Sequence, residues 1–527
     1  MKSMAWIATG MAAAVMYAPA PRAAQALDWA ACPAEAFEDA IPDLGDALRC
    51  SRIELPLDHS RPALGATQNL LVRITAGNPR DRKGTLWVEP GGPAVNAADQ
   101  IVRNFAGWRA VPLQGDDRSG LRQIADAFDV VYLLPRELTG ASAVNCTGLD
   151  GTPVEPALEN PDDDAAWSRL GAEALRVARA CSTAGAFAST WQRVRDLDTA
   201  RASLGEARLN LYGVSYGAWI ASQYAATFPQ ATGRLLLDSS VDIGNSRSGN
   251  YAETTRGRQQ ALLKMGVEPA ARRHEFWQLG DTEASIWRQL EALPFRLRHA
   301  WAFKVVFQHE ILAALRVGEL YGLASPQGRG RDDMTVSAQQ WHYSPYDRVD
   351  DVARQRALDL VSVLPADGRQ PVSLPMGVNG PLLAVICNDS AWPHTGAQLR
   401  ERARDERRTA AFWFGEDVVI PWACHHWQRT PHAPPSLDNL RQLPPFVMLH
   451  LQGDLQTPLW SAEEGAFAFP NARLVVTLDA KGHTVLNEPY ACPTDIAARY
   501  LLTGATPTTS RTYCVPTKAT PVPRSEL

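Results

Sequence analysis

Leu209-Asn210-Leu211-Tyr212-Gly213-Val214-Ser215-Tyr216-Gly217-Ala218-Trp219 joins an apolar run of strand formers to a Gly-x-Ser-x-Gly pentapeptide, and Ile220 to Thr227 continues in helix-compatible residues. The reading is a strand, a sharp turn and a helix. Glycines at 213 and 217 leave room for a turn that holds Ser215 in a strained conformation and lifts its hydroxyl clear of the sheet. The following helix start points backbone N–H groups at any negative charge that develops there. The pentapeptide alone is weak, since about one chain in six of this length would carry it by composition. Its meaning depends on the rest of the chain.

Working outward, strands and helices alternate on both sides. Thr85 to Val88 reads as a buried strand that runs into Glu89-Pro90-Gly91-Gly92-Pro93-Ala94, and Phe128 to Leu134 reads as another. Ala165–Ala180 and Val194–Leu204 have helical spacing, and Leu235-Leu236-Leu237 is a further strand. Ile53 to Asp58 and Asn69 to Ile74 alternate as edge strands, and Pro56 suits an edge. The pattern changes between residues 244 and 444, where Arg- and Trp-rich helical pieces replace the strands. It resumes at Phe446 to Leu451 and Leu474 to Leu478. These observations predict an α/β fold with a mostly parallel sheet. The core would comprise residues 27–243 and 445–515, interrupted by a large, mainly helical cap at 244–444, with a tail at 516–527.

A Ser nucleophile needs a base to take its proton and a carboxylate to orient that base. In α/β hydrolases these follow in the order Ser, acid, His, each at a strand end. Asp454 follows one late strand within Gly453-Asp454-Leu455-Gln456-Thr457-Pro458, and His483 follows the next within Lys481-Gly482-His483. Asp238 or Asp242 is the alternative acid, His483 as an ordinary loop histidine the plainer reading, and His450 reads as core. An oxyanion hole would combine the N–H of Tyr216 with the loop Gly92-Pro93-Ala94.

Residues 1–26 read as a secretory signal: Lys2, an apolar stretch from Met4 to Met16, and a small-x-small site ending at Ala26. The apolar part is too short to span a bilayer comfortably. The mature chain is therefore expected in the periplasm or outside the cell, with no membrane span. Eight cysteines (Cys32, Cys50, Cys146, Cys181, Cys387, Cys424, Cys492 and Cys514) then favour four disulfides over a metal site, although eight allow 105 connectivities. Cys424-His425-His426 is no zinc motif on that reading, and neither metal nor cofactor is expected. The net charge of −5, with no basic run interleaved with aromatics, argues against nucleic acid.

Taken together, these stretches resemble the tripeptidyl and prolyl aminopeptidase group of α/β hydrolases, exported serine exopeptidases with a helical cap. The resemblance rests on the entry strand from Cys50 to Asp58, on Gly91-Gly92-Pro93, on Asp196 to Gly205 and on Gly213 to Gly217. It also rests on Asp454-Leu455-Gln456-Thr457-Pro458, on Gly482-His483, and on Cys492 and Cys514 around Tyr500 to Gly504. It implies disulfides between sequence neighbours (32–50, 146–181, 387–424 and 492–514). It implies cleavage of short peptides with a free N-terminus, with Glu89, Glu310 or Asp389 as counter-charge for the substrate ammonium. Two departures stand out: Ala94 where the family has Gly, and Leu134-Pro135-Arg136-Glu137 where it has Asp-Pro-Arg-Gly. The elbow and acid–base set would serve an esterase equally well, and a non-catalytic binding protein on the same scaffold is the remaining alternative.

Overall fold

The structure, a computed structural model, describes residues 25–516 except residues 117, 147–157, 159, 323–330, 365–379, 410–417, 428 and 430. Nearly all of the expected signal segment and the tail beyond residue 516 lie outside the described residues.

Nine strands form one sheet in the order β1-β2-β4-β3-β5-β6-β7-β8-β9. The hairpin of β1 (Leu48–Pro56) and β2 (Ala66–Ile74) sits at one edge, with β2 antiparallel to both β1 and β4 (Asp129–Leu133). From β4 onward the sheet is parallel through β3 (Thr85–Glu89), β5 (Leu209–Val214) and β6 (Thr232–Asp238). It continues so through β7 (Phe446–Gly453), β8 (Ala472–Lys481) and β9 (Arg511–Cys514). The central strands are apolar on both faces, as parallel strands covered by helices must be. Alternation decides which side chain meets which helix layer. Trp87 and Leu211 pack on one face with α3 (Asp164–Cys181), α4 (Thr190–Ser203) and α5 (Tyr216–Thr227). Leu86, Val88, Tyr212 and Val214 pack on the other with α1 (Ala98–Ala110), α2 (Ser119–Ala127) and the helix Ala491–Thr503. This is the α/β-hydrolase fold.

The chain crosses back over β3 between β4 and β5, so the crevice between the exits of β3 and β5 is the topological switch point, where ligands bind in open α/β sheets. The loop from Pro90 to Val95 and the Ser215 turn flank it.

Among the described residues, every element between β6 and β7 is helical, beginning with α6 (Arg247–Leu262). Packing divides this insertion. Its first part, from Leu262 to Leu364, gathers around a core of its own that includes Trp277, Trp301 and Ile311. The helices Gly380–Asp389 and Val419–His425 instead join the main core beside α3. The insertion is therefore one separately cored layer and one layer fused to the sheet. Four disulfides, Cys32–Cys50, Cys146–Cys181, Cys387–Cys424 and Cys492–Cys514, fasten the edge hairpin, α3, the fused layer and the last strand. Among the described residues, no helix is long and apolar enough to cross a membrane.

Candidate active site

β5 ends at Val214, and the chain turns sharply at Ser215 into α5. Ser215 has φ 57° and ψ −124°, a conformation costing an L-residue on the order of 1–3 kcal/mol. Two close approaches explain the flanking glycines. A Cβ on Gly213 would stand 2.5 Å from the carbonyl oxygen of Gly217, and a Cβ on Gly217 would run into the carbonyls of Glu89 and Pro90. The elbow is thus clamped against the exit of β3. The Ser215 N–H donates to the Asp238 carbonyl at 2.9 Å, tying the turn to β6.

His483 and Asp454 meet after β8 and β7: His483 Nδ1 lies 2.8 Å from Asp454 Oδ2. Asp454 is fully buried. It also accepts from the N–H groups of Gln456 at 2.9 Å and Thr457 at 3.0 Å. Burial alone would raise the Asp454 pKa. The positive charge and hydrogen bond of His483, with His450 and the Thr457 N–H, outweigh it and hold the carboxylate below its usual range. Burial likewise opposes a charged His483, but the Asp454 carboxylate, seconded by Asp238, lifts the imidazole above its ordinary value.

The supports of this pair come from across the sheet. The Thr457 hydroxyl lies 2.8 Å from the Ser239 carbonyl and 3.0 Å from Asp454 Oδ2. His450, buried in β7, places Nε2 2.8 Å from the Thr457 carbonyl and so braces the acid loop. Asp238, the first alternative acid, is turned to another task. Its carboxylate takes the Tyr212 hydroxyl and the N–H groups of Val485 and Leu486, fastening the loop after His483. Asp242 accepts from the Gly244 N–H, and burial pushes its pKa up to about 6. Thr457 stands inside the acid-loop motif and serves Asp454 three residues away, whereas Asp238 acts on residues far along the chain and no local sequence signal marks it for this duty.

Ser215 and His483 line one cavity of about 480 Å³. Its wall includes Gly91, Gly92 and Val95 from the β3 loop, Phe105 and Trp108 from α1, and Arg258 from α6. A Cβ on Gly91 would stand 3.2 Å from Ser215 Oγ, so this backbone lies against the hydroxyl. The expected oxyanion loop needs correcting in part. Gly92 and Tyr216 line the cavity, whereas Pro93, which has no N–H, and Ala94 face a small void behind the loop. Ala94 has φ 58°, the left-handed region where glycine is at ease. Buried Glu137 lines the same void, and burial raises its pKa.

The three carboxylates considered for the substrate ammonium do not line the Ser215 cavity. Glu89 accepts from Trp87 Nε1 at 2.7 Å and pairs with Arg193 at 2.9 Å. Glu310 pairs with Lys481 at 2.6 Å and accepts the N–H of Val306 at 2.8 Å. Asp389 takes the Thr190 N–H at 2.7 Å and the Tyr216 hydroxyl at 3.0 Å. Buried Glu89 and Glu310 need such partners, and half-buried Asp389 has them as well. Among the described residues, no cluster of three His, Cys, Asp or Glu side chains is arranged to hold a metal.

Residues 410–514 match the family model of TAP-like proteins. A tripeptidyl aminopeptidase of Streptomyces lividans is 26% identical, over 98% of this chain and 91% of that protein. The serine protease Hip1 of Mycobacterium tuberculosis is 24% identical, over 92% of this chain and 91% of that protein. The proline iminopeptidase structure from Mycobacterium smegmatis aligns over 86% of this chain and 97% of its own at 14% identity, with a TM-score of 0.32, a likeness too loose to argue from. The chain is a serine hydrolase of the α/β-hydrolase superfamily whose C-terminal part matches the TAP-like family and whose whole length resembles the tripeptidyl aminopeptidases.

Proposed function

We propose that Ser215, His483 and Asp454 form a catalytic triad in an exported peptidase that releases short N-terminal units from peptides. The observation that carries this reading is the 2.8 Å His483–Asp454 bond inside the cavity that holds Ser215 on its elbow. Ser215 attacks the substrate carbonyl. His483 takes the hydroxyl proton and returns it to the departing amine. Asp454 keeps His483 in the tautomer that presents Nε2 to the serine and stabilises the imidazolium. The N–H of Tyr216 and the Gly91–Gly92 backbone receive the oxyanion. Four disulfides suit an oxidising compartment, and the insertion, which lends Asn250, Thr254, Leu382 and Ile420 to the cavity wall, serves as a cap that favours short peptides over folded proteins.

The wall itself favours a unit longer than one residue. A peptidase that removes single residues must place a counter-charge for the ammonium one residue from the nucleophile. Among the described residues lining this cavity there is no carboxylate. Three extended residues carry the ammonium about 10 Å away. That matches the activity named for the Streptomyces relative.

An esterase is the second reading, favoured by the apolar wall of Ile101, Phe105 and Trp108. Rates on aminoacyl, prolyl and tripeptidyl anilides, their N-blocked forms and short aryl esters decide, measured for the wild type and Ser215→Ala. Turnover of free-amine tripeptidyl anilides, lost in the variant, is expected. Turnover of esters alone would move the protein to the esterases. Failure of a fluorophosphonate to label Ser215 would leave only a binding role.

A further inference from the structure

The Ser215 cavity reaches below the nucleophile. Its lining includes Val88 of β3, Tyr212 and Val214 of β5, and Ile101, Phe105 and Trp108 of α1. All six belong to the core layer between the sheet and α1, and none is more than 9% exposed. Strand alternation turns Tyr212 and Val214 to one face of the sheet, and helical spacing sets Ile101, Phe105 and Trp108 along one stripe of α1. The recess they bound therefore lies between β3, β5 and α1. Tyr212 stands three residues before Ser215. Its ring lies 6.2 Å from that of Trp108, centroid to centroid, so this floor is about 10 Å from the elbow.

The recess is apolar. The Phe105 and Trp108 rings lie 4.2 Å apart, and the polar end of Tyr212 is committed to Asp238 at 2.9 Å. An ammonium or carboxylate entering it would lose water and meet no charged partner on these six residues. An aliphatic or aromatic group would exchange water for apolar contact.

Sheet order says which part of a substrate lies over it. β5 carries Ser215; β3 is its neighbour on one side, and β6, β7 and β8 follow on the other, towards Asp454 and His483. His483 hands its proton to the leaving group, so the leaving group lies towards β7 and β8. The acyl portion lies towards β3, over the recess. A recess that begins beside Ser215 receives the side chain nearest the attacked carbonyl.

We infer that Ile101, Phe105 and Trp108, with Val88, Tyr212 and Val214, are specificity-determining residues that hold the last side chain of the released unit. That side chain is bulky and apolar, as in Leu, Met, Phe or Trp, in preference to Gly, Lys or Glu. This rests on the triad reading above, and it adds which residue of the peptide is read and by what chemistry.

The test varies that residue alone, in Ala-Ala-Xaa anilides with Xaa as Gly, Ala, Leu, Phe, Lys or Glu. The wild type is expected to prefer Phe to Ala by about thirtyfold in kcat/KM, and to cleave the Lys and Glu members more slowly than the Ala member. Ile101→Trp, which fills the recess, should bring the Phe-to-Ala ratio to one or below. Fluorophosphonate labelling of Ser215 shows whether the variant keeps its site; should it not, Ile101→Phe makes the same test with a smaller ring. A wild type that favours Gly, Ala or a charged residue would overturn the inference, as would a Phe preference that the filled variants leave intact. An apolar preference found only for the departing residue, in Ala-Ala-Ala-Xaa amides, would overturn it too. The 4-nitrophenyl esters of acetate and 3-phenylpropanoate, each rate divided by its alkaline hydrolysis rate, separate this inference from the peptidase reading. Preference for the phenylpropanoate without any anilide turnover would retain the recess and remove the peptidase. Anilide turnover that is indifferent to Xaa would do the reverse.

Discussion

Among the described residues, two partly buried histidines meet fully buried aspartates at nearly the same distance. His483 meets Asp454 at 2.8 Å, and His59 meets Asp196 at 2.7 Å. Both carboxylates are fully buried, and both are held below the usual range against the effect of burial. The difference lies in the remaining partners. Asp196 receives Arg136 through two bonds, at 2.7 and 2.6 Å, and Arg136 also donates to the carbonyls of Pro56 at 3.0 Å and Leu57 at 2.9 Å. That aspartate is already neutralised, and the group joins β1, α4 and the turn after β4. The other hydrogen bonds to Asp454 come from neutral groups, the N–H groups of Gln456 and Thr457 and the Thr457 hydroxyl. Its charge is therefore available to an imidazolium that forms during a reaction. A His–Asp contact acquires chemistry from what else the carboxylate binds and from a serine in the same cavity.

Removing each histidine breaks the comparison most directly. His483→Ala should lower kcat/KM by a factor on the order of 10⁴ or more in a protein that still unfolds cooperatively. His59→Ala should stay within a few-fold of wild-type activity. A large loss of kcat from His59→Ala in a protein that still melts cooperatively would show that the two pairs are not separate in role.

The acids should part in the same way. Asp454→Asn, which keeps the shape, should cost about 10⁴-fold in kcat by favouring the wrong tautomer. Asp196→Ala should cost stability, about 3–5 kcal/mol, because it leaves Arg136 charged and buried without its partner. Urea unfolding with an unchanged m-value measures the second effect, and steady-state rates measure the first. An Asp196 variant of native stability would mean that the Arg136 cluster is no clamp.

These pairs also show what the sequence could carry. The Asp454–His483 contact was legible because each follows a strand signal and stands in a short turn, so the order of β7 and β8 in the sheet brings the two together. The parallel core was legible for the same reason: buried strands are short, apolar and punctuated. His59 and Asp196 lie 137 residues apart, on a turn and a helix. Nothing local distinguishes them from surface residues until the fold is built. The carboxylates Glu89, Glu310 and Asp389 lie outside the lining of the Ser215 cavity for a related reason. Residue type suggests an acid near the site, but whether it faces the cavity or, as here, Arg193, Lys481 or Thr190 depends on side-chain direction. The division of the insertion between two cores was equally hidden, since a helix pattern does not say which neighbour its apolar face will meet.

The pH profile sharpens the contrast at smaller scale. Asp454 and Asp238 raise His483 above the ordinary histidine value of 6.5 despite burial. The base form is lost as pH falls, so the acid limb of kcat/KM should lie above pH 6.5 and move downward in Asp454→Asn. His59→Ala should leave the limb in place. A limb at or below 6.5 in the wild type would mean that the carboxylate does not tune this imidazole.

Ala94 gives the smallest effect and separates strain from chemistry in the loop that faces Ser215. An alanine at φ 58° sits where the Cβ crowds the following carbonyl, which costs about 1–2 kcal/mol, while glycine gives back part of that by loosening the unfolded chain. Ala94→Gly should therefore stabilise the protein by about 0.5–1 kcal/mol in thermal or urea unfolding. Because Ala94 faces the void behind the loop and Gly91 and Gly92 face the cavity, KM should not change. A several-fold rise in kcat with no gain in stability would show the opposite division: the extra methyl group displacing the Gly91–Gly92 backbone from the oxyanion while costing the fold nothing.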